Sequence, residues 1–145
     1  MASLSEKELK RIIKGGEAGT VELKLNPPRA VDLAERFCGM ANARGGLVII
    51  GVEDSTRKIV GVADERMGEA VDVILRAARQ VIKPELVLNP PEPEVYVLAD
   101  KKLVVATIVA STFPKSGDLG KEAGHSLAFF RPSWPDLRLF TITAD

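Results

Sequence analysis

Leu47-Val48-Ile49-Ile50-Gly51-Val52 is an unbroken run without a polar side chain. Successive strand residues point to opposite faces of a sheet, so a continuous apolar run reads as a strand covered on both sides and central in its sheet. The segment before it supplies one cover. Ala30, Leu33, Ala34, Phe37, Cys38 and Ala41 recur at i, i+3, i+4, i+7, i+8 and i+11, the stripe of an amphipathic helix that Asn26-Pro27-Pro28 introduces and Arg44-Gly45-Gly46 ends. Upstream, Val21, Leu23 and Leu25 alternate with Glu22 and Lys24, which predicts a half-buried strand over Thr20–Leu25 with both charges on its open face.

The remaining chain follows the same mixed pattern. Ser5 and Glu8 fit a capping box opening a short helix that carries Leu9, Ile12 and Ile13 and stops at Gly15-Gly16. After the central strand, residues 53–58 make a turn and Ile59-Val60-Gly61-Val62 returns as a short hairpin partner. A second long helix is expected over Asp64–Ile82, with Met67, Ala70, Val71, Ile74, Ala78 and Val81 inward and Pro84 ending it. Glu94–Leu98 and Leu103–Val109 form a hairpin around Ala99–Lys102. A polar loop then spans Ser111–Gly124, and Leu127–Phe130 and Leu137–Thr143 close the chain as strands. No internal repeat is visible. The expectation is an α/β (α+β) fold, one mixed sheet with two main helices, over residues 1–145 as a single domain.

Composition removes several functional classes. Lys plus Arg and Asp plus Glu both number 20, so no overall positive charge argues for nucleic acid, although a local basic groove is not excluded. One cysteine, Cys38, forbids an internal disulfide, and with a single histidine, His125, it rules out multi-histidine and four-cysteine zinc sites within one chain. No apolar run approaches the ~20 residues that span a bilayer. The polar, mixed-charge start Met1–Lys7 lacks a signal-peptide core, so a cytoplasmic protein with no membrane partner is expected. Neither the phosphate loop GxxxxGK[ST] nor a GxGxxG fingerprint is present.

Three constellations carry chemistry. Glu17, Glu22 and Asp54 could converge at one end of the sheet if the first strand and the apolar strand are neighbours, and Mg²⁺ or Mn²⁺ takes such oxygen ligands. The same three acids also read as ordinary solvated surface. Gly45-Gly46 lets backbone approach a phosphate closely, or simply caps the helix before it. Lys24, Arg44, Lys115, Lys121, Arg131 and Arg138 fall on loops or exposed strand positions, and both ends of the chain lean basic. Asp54–Asp100 holds nine acids and six bases, whereas the first 29 and the last 45 residues each hold six bases and four acids. Cys38, on the buried stripe, reads as packing rather than a nucleophile. His125 reads as a surface residue or a general base, and Trp134 as a stacking platform or a lid.

Together these residues form a recognisable pattern. Glu17-Ala-Gly-Thr-Val-Glu22-Leu-Lys24, then Met40-Ala-Asn-Ala-Arg-Gly45-Gly46-Leu-Val-Ile-Ile-Gly51-Val-Glu-Asp54, then Ile59-Val-Gly61-Val, resemble the Schlafen-type AlbA-like domain family. Ile82-Lys-Pro84, Phe113-Pro114-Lys115 and Phe129-Phe-Arg131 extend the likeness over residues 8–135. Leu23 replaces the family's usual aromatic, and Pro132-Ser133-Trp134 departs from its usual loop after the arginine.

The resemblance implies a nucleic-acid-binding α/β domain of the DNA-binding or transcription-regulator kind. Lys24, Arg44, Lys115 and Arg131 would then contact phosphates beside the Gly45-Gly46 turn. It also implies an alternative, a metal-dependent endoribonuclease acting on tRNA or rRNA, with Glu17, Glu22 and Asp54 as catalytic and metal-holding carboxylates and Mg²⁺ or Mn²⁺ as cofactor. Because Schlafen lobes pair to form a groove, a homodimer is expected. A protein-interaction or nucleotide-binding module is the third reading.

Overall fold

The protein is described by a computed structural model over residues 4–15, 20–110 and 141–142. The elements run α1 (Glu6–Gly15), β1 (Val21–Lys24), α2 (Ala30–Ala41), β2 (Gly46–Ile50) and α3 (Asp64–Arg76). A π-helical turn (Ala77–Val81), β3 (Ile82–Lys83), β4 (Glu94–Leu98), β5 (Lys101–Ile108) and β6 (Thr141–Ile142) follow.

The main sheet has the order β1-β2-β5-β4. The apolar run is therefore flanked on both sides, with β1 parallel to β2 and β5 antiparallel to it. Parallel neighbours need a long crossover, and α2 is that crossover. The register sets Glu22 beside Val48, Leu23 beside Ile49 and Lys24 beside Ile50. β4 and β5 form the expected hairpin, closed by Leu98 opposite Lys101. Its turn residues Ala99 and Asp100 both have positive φ, 50° and 64°, matching the twist that two-residue hairpins need.

Each sheet face is covered. On one side Leu9 and Ile13 of α1 meet Leu23, Ile49, Val52, Leu98, Leu103 and Val105. On the other, α2, α3 and the π turn bury Leu33, Phe37, Met40, Val73 and Ile74 against Val48, Ile50, Val104 and Ala106. That two-sided burial is why β2 carries no polar residue. The capping box of α1 forms as its spacing predicts: the Ser5 N–H donates to Glu8 Oε1 at 3.0 Å, and the Glu8 N–H donates to Ser5 Oγ at 3.1 Å.

Three expectations are corrected. Glu22 does not lie on an open face: it is 5% exposed, because α2 folds back over the face of β1 that the alternation leaves for water. The predicted helix over Asp64–Ile82 forms as far as Val81, but its last turn is not α-helical. Regular α-helix ends at Arg76, a π turn carries the chain to Val81, and Ile82–Lys83 pairs antiparallel with Thr141–Ile142. Val73 and Ala77, which the expected inward set leaves out, are buried with Ala70 and Ile74 on one i, i+3, i+4, i+7 stripe. Finally, Ile59–Val62 forms no strand beyond a single bridge, Val52 to Ile59. Gly51 bends the chain there (φ +116°), and the Val60 and Gly61 N–H groups both donate to its carbonyl.

Glu17, Lys115, Lys121, His125, Arg131, Trp134 and Arg138, the loop 111–124, the strand 127–130 and residues 137–140 of the last strand lie outside the described residues.

Candidate functional site

Among the described residues Glu22 is the one buried charged side chain. An isolated carboxylate removed from water is costly, and here each oxygen has a cation. Arg36 Nε on α2 lies 2.8 Å from Oε1, and Lys24 Nζ, two residues along β1 on the same face, lies 3.1 Å from Oε2. The two cations are 60% and 39% exposed, so each can swing into solvent more easily than the glutamate can. Beside them opens a pocket of ≈ 390 Å³ walled by Pro28, Asp32, Leu33 and Glu35. Arg29 grips Asp32 through two hydrogen bonds at 3.0 and 3.1 Å, which hold its carboxyl below the usual carboxylate range. Arg36 was invisible to sequence reading because its role exists only once α2 packs over β1.

Asp54 stands apart from Glu22. Glu22 is level with Val48, whereas Asp54 lies six residues further on, exposed in the turn beyond the end of β2. No group of three or more acidic, His or Cys side chains among the described residues is arranged to hold a metal ion. With both Glu22 oxygens engaged, the described residues do not fit a divalent cation as they stand.

Gly45 and Gly46 have an internal reason to be glycine. Gly45 sits at φ +83°, its N–H donating to the Met40 carbonyl at 2.6 Å to close α2. A Cβ there would meet the Ile108 carbonyl oxygen at 2.5 Å, and one on Gly46 would meet the Thr20 carbonyl oxygen at 2.6 Å. Arg44 is exposed beside them.

A second cleft, not anticipated from the sequence, lies on the opposite side of the sheet. Lys10 and Lys14 of α1 face Thr56 and Arg57 of the turn after β2, over a floor of Ile13 and Ile59, enclosing ≈ 380 Å³. The i, i+4 spacing of the lysines was readable; their meeting with Arg57 was not. Arg57 adopts φ +62°, a region that costs a side-chain-bearing residue about 1–2 kcal/mol.

Cys38 is half-buried, with Asn42 Nδ2 3.6 Å from its sulfur. Burial raises its thiol pKa, against the smaller opposing effect of Asn42. At neutral pH it is expected to alkylate several-fold more slowly with iodoacetamide than a free cysteine, and to recover normal reactivity in urea. Equal rates in the native protein would contradict that assignment.

Residues 17–126, more than half of the chain, match the family described as Schlafen, AlbA_2. The chain belongs to this family. The AlbA_2 match contains Glu17, Glu22, Lys24, Gly45, Gly46, Asp54 and Lys115, whereas α1 and Arg131 lie outside it. The fold is also found in solved structures. One is the DIP2311 protein of Corynebacterium diphtheriae, at 18% identity and TM-score 0.50, where the match covers 74% of this chain and 22% of that one. Another is the N-terminal domain of a protein from Nitrosomonas europaea described as related to the ATP-dependent DNA helicase RecG, at 18% identity and TM-score 0.54, with 74% of each chain covered. The AlbA_2 chain thus spans about a fifth of the first of these proteins. No curated protein matches it. No helix among the described residues is long and apolar enough to cross a membrane.

Proposed function

We propose that this AlbA_2 domain binds nucleic acid through its phosphate backbone, as a DNA-binding or transcription-regulator module in the cytoplasm. The family match over residues 17–126 carries the reading. The fold shared with the N-terminal domain of a RecG-related protein is consistent with it. Arg44, exposed at the end of α2, together with Lys115 and Arg131, supplies phosphate contacts. Lys24 joins them when it releases Glu22. In a homodimer, two lobes form the binding groove between them. In support, the outer strand β4 exposes Val95 and Val97 by 47% and 49%, apolar surface that a second copy would cover.

A second reading, a Mn²⁺- or Mg²⁺-dependent endoribonuclease using Glu17, Glu22 and Asp54, is favoured by one observation. A carboxylate is kept buried beside a pocket whose other side chains include two partly exposed cations. One gel separates the readings: purified protein titrated onto labelled tRNA and duplex DNA, with and without Mn²⁺. A shift that weakens steeply with salt and shows no cleavage is the expected result. Cleavage of tRNA only with Mn²⁺, lost in Glu17→Ala and in Glu22→Gln at unchanged melting temperature, would put the nuclease first. Absence of any shift at low salt would overturn both and turn attention to a protein partner.

A further inference from the structure

The cleft between α1 and the turn after β2 carries charge of one sign. Lys10, Lys14 and Arg57 converge on it, and none of the described residues lining it is acidic. Two other clefts mix signs: Glu22, Asp32 and Glu35 line one with Lys24 and Arg36, and Asp64, Glu65 and Asp100 line another of ≈ 500 Å³ at the start of α3 with Lys101 and Lys102. In a chain with no net charge, three cations sharing one cleft are a local concentration that mutual repulsion disfavours.

The turn that presents Arg57 is tied by its own hydrogen bonds. Ser55 Oγ and Thr56 Oγ1 donate to the Glu53 carboxylate at 3.3 and 3.0 Å. The Lys58 N–H donates to Thr56 Oγ1 at 3.3 Å, and the Arg57 N–H donates to the Glu53 carbonyl at 2.6 Å. This wiring occupies the Glu53 carboxylate, while Asp54 stays exposed in the same turn, and Arg57 lines the cleft opposite Lys10 and Lys14. It also holds Arg57 at φ +62°, where glycine or asparagine would sit without strain. A strained backbone position that retains a cation points to use of that cation.

We propose that Lys10, Lys14 and Arg57 form a binding site for backbone phosphates of a polynucleotide, distinct from the Arg44 and Glu22 regions. The inference rests on the nucleic-acid reading above and extends it to α1, which the family match does not include. The cleft holds roughly a dozen water volumes, enough for a sugar–phosphate unit rather than one small ion. Its apolar floor of Ile13 and Ile59 suits the carbon face of a sugar.

The test is the salt dependence of binding, because each phosphate contact contributes about 0.9 to the slope of log K against log salt on duplex DNA. Binding of a 20-base-pair duplex and of tRNA is measured by fluorescence anisotropy at several salt concentrations. The proteins are the wild type, Arg57→Gly, and the triple variant Lys10→Ala, Lys14→Ala, Arg57→Gly. Arg57→Gly relieves the strained backbone, so its melting temperature is expected to hold or rise while its charge is gone. The triple variant is expected to bind on the order of tenfold more weakly at low salt, with the slope reduced by about 2–3. A loss confined to one ligand identifies whether DNA or RNA occupies the site. Wild-type binding with an unchanged slope in both variants would overturn this site and leave the proposed function standing. Absence of wild-type binding would overturn both.

Discussion

Phe37→Ala is expected to lower the stability of the domain by about 3–5 kcal/mol, the cost of removing a buried aromatic side chain and leaving a cavity. Phe37 is fully buried, on the inward face of α2 against the β2–β5 face of the sheet. Its neighbours Leu33, Val48 and Ile50 are held in regular elements, so the cavity cannot readily collapse. A total stability near 5–15 kcal/mol makes this a large fraction. The consequence reaches the site, since the next residue back, Arg36, holds Glu22. Urea unfolding followed by circular dichroism reads the change at constant slope. A loss under about 1.5 kcal/mol would mean that α2 is not anchored there.

Gly45→Ala is expected to cost about 2–5 kcal/mol, from two independent sources. Alanine at φ +83° carries the left-handed penalty of about 1–2 kcal/mol. Its methyl would also stand 2.5 Å from the Ile108 carbonyl oxygen and 3.0 Å from the Ala110 nitrogen. Those atoms are backbone and cannot rotate away, so the β2–β5 pairing must shift, at about 1–3 kcal/mol. Gly39→Ala is the matched control. Gly39 lies within α2, and a methyl added there would meet nothing within 4 Å, so the change should stabilise by about 0.5–1 kcal/mol. Equal effects at the two positions would show that Gly45 serves only as a replaceable linker.

Legibility of the fold followed the range of the interaction. The Ser5–Glu8 capping box, the apolar stripe of α2 and the strand β2 were readable because each depends on spacing within one element. The β4–β5 hairpin was readable from its two runs, but its turn carries Ala99 and Asp100 rather than the usual glycine. The end of α3 was not readable. The apolar pattern continues past Arg76, while the backbone widens into a π turn that delivers Ile82 to Ile142, a partner sixty residues away.

The candidate site divides in the same way. Glu22, Lys24 and the Gly45-Gly46 pair were found from residue type and spacing, and the family pattern connects them with nucleic acid. Their environments were not legible. Alternation assigned Glu22 to water, because period-two reasoning knows only that one face of β1 is polar and not which helix crosses it. By itself, the sequence determined the mixed α/β class, the central position of β2 and the family. Those follow from hydrophobic period and local steric demands, which act over a few residues. Only the tertiary structure decided that Arg36 closes on Glu22, that Gly45 meets Ile108, and that Lys10 and Lys14 face Arg57. Each joins separate elements of the chain, and the packing of helices on the sheet sets their distance.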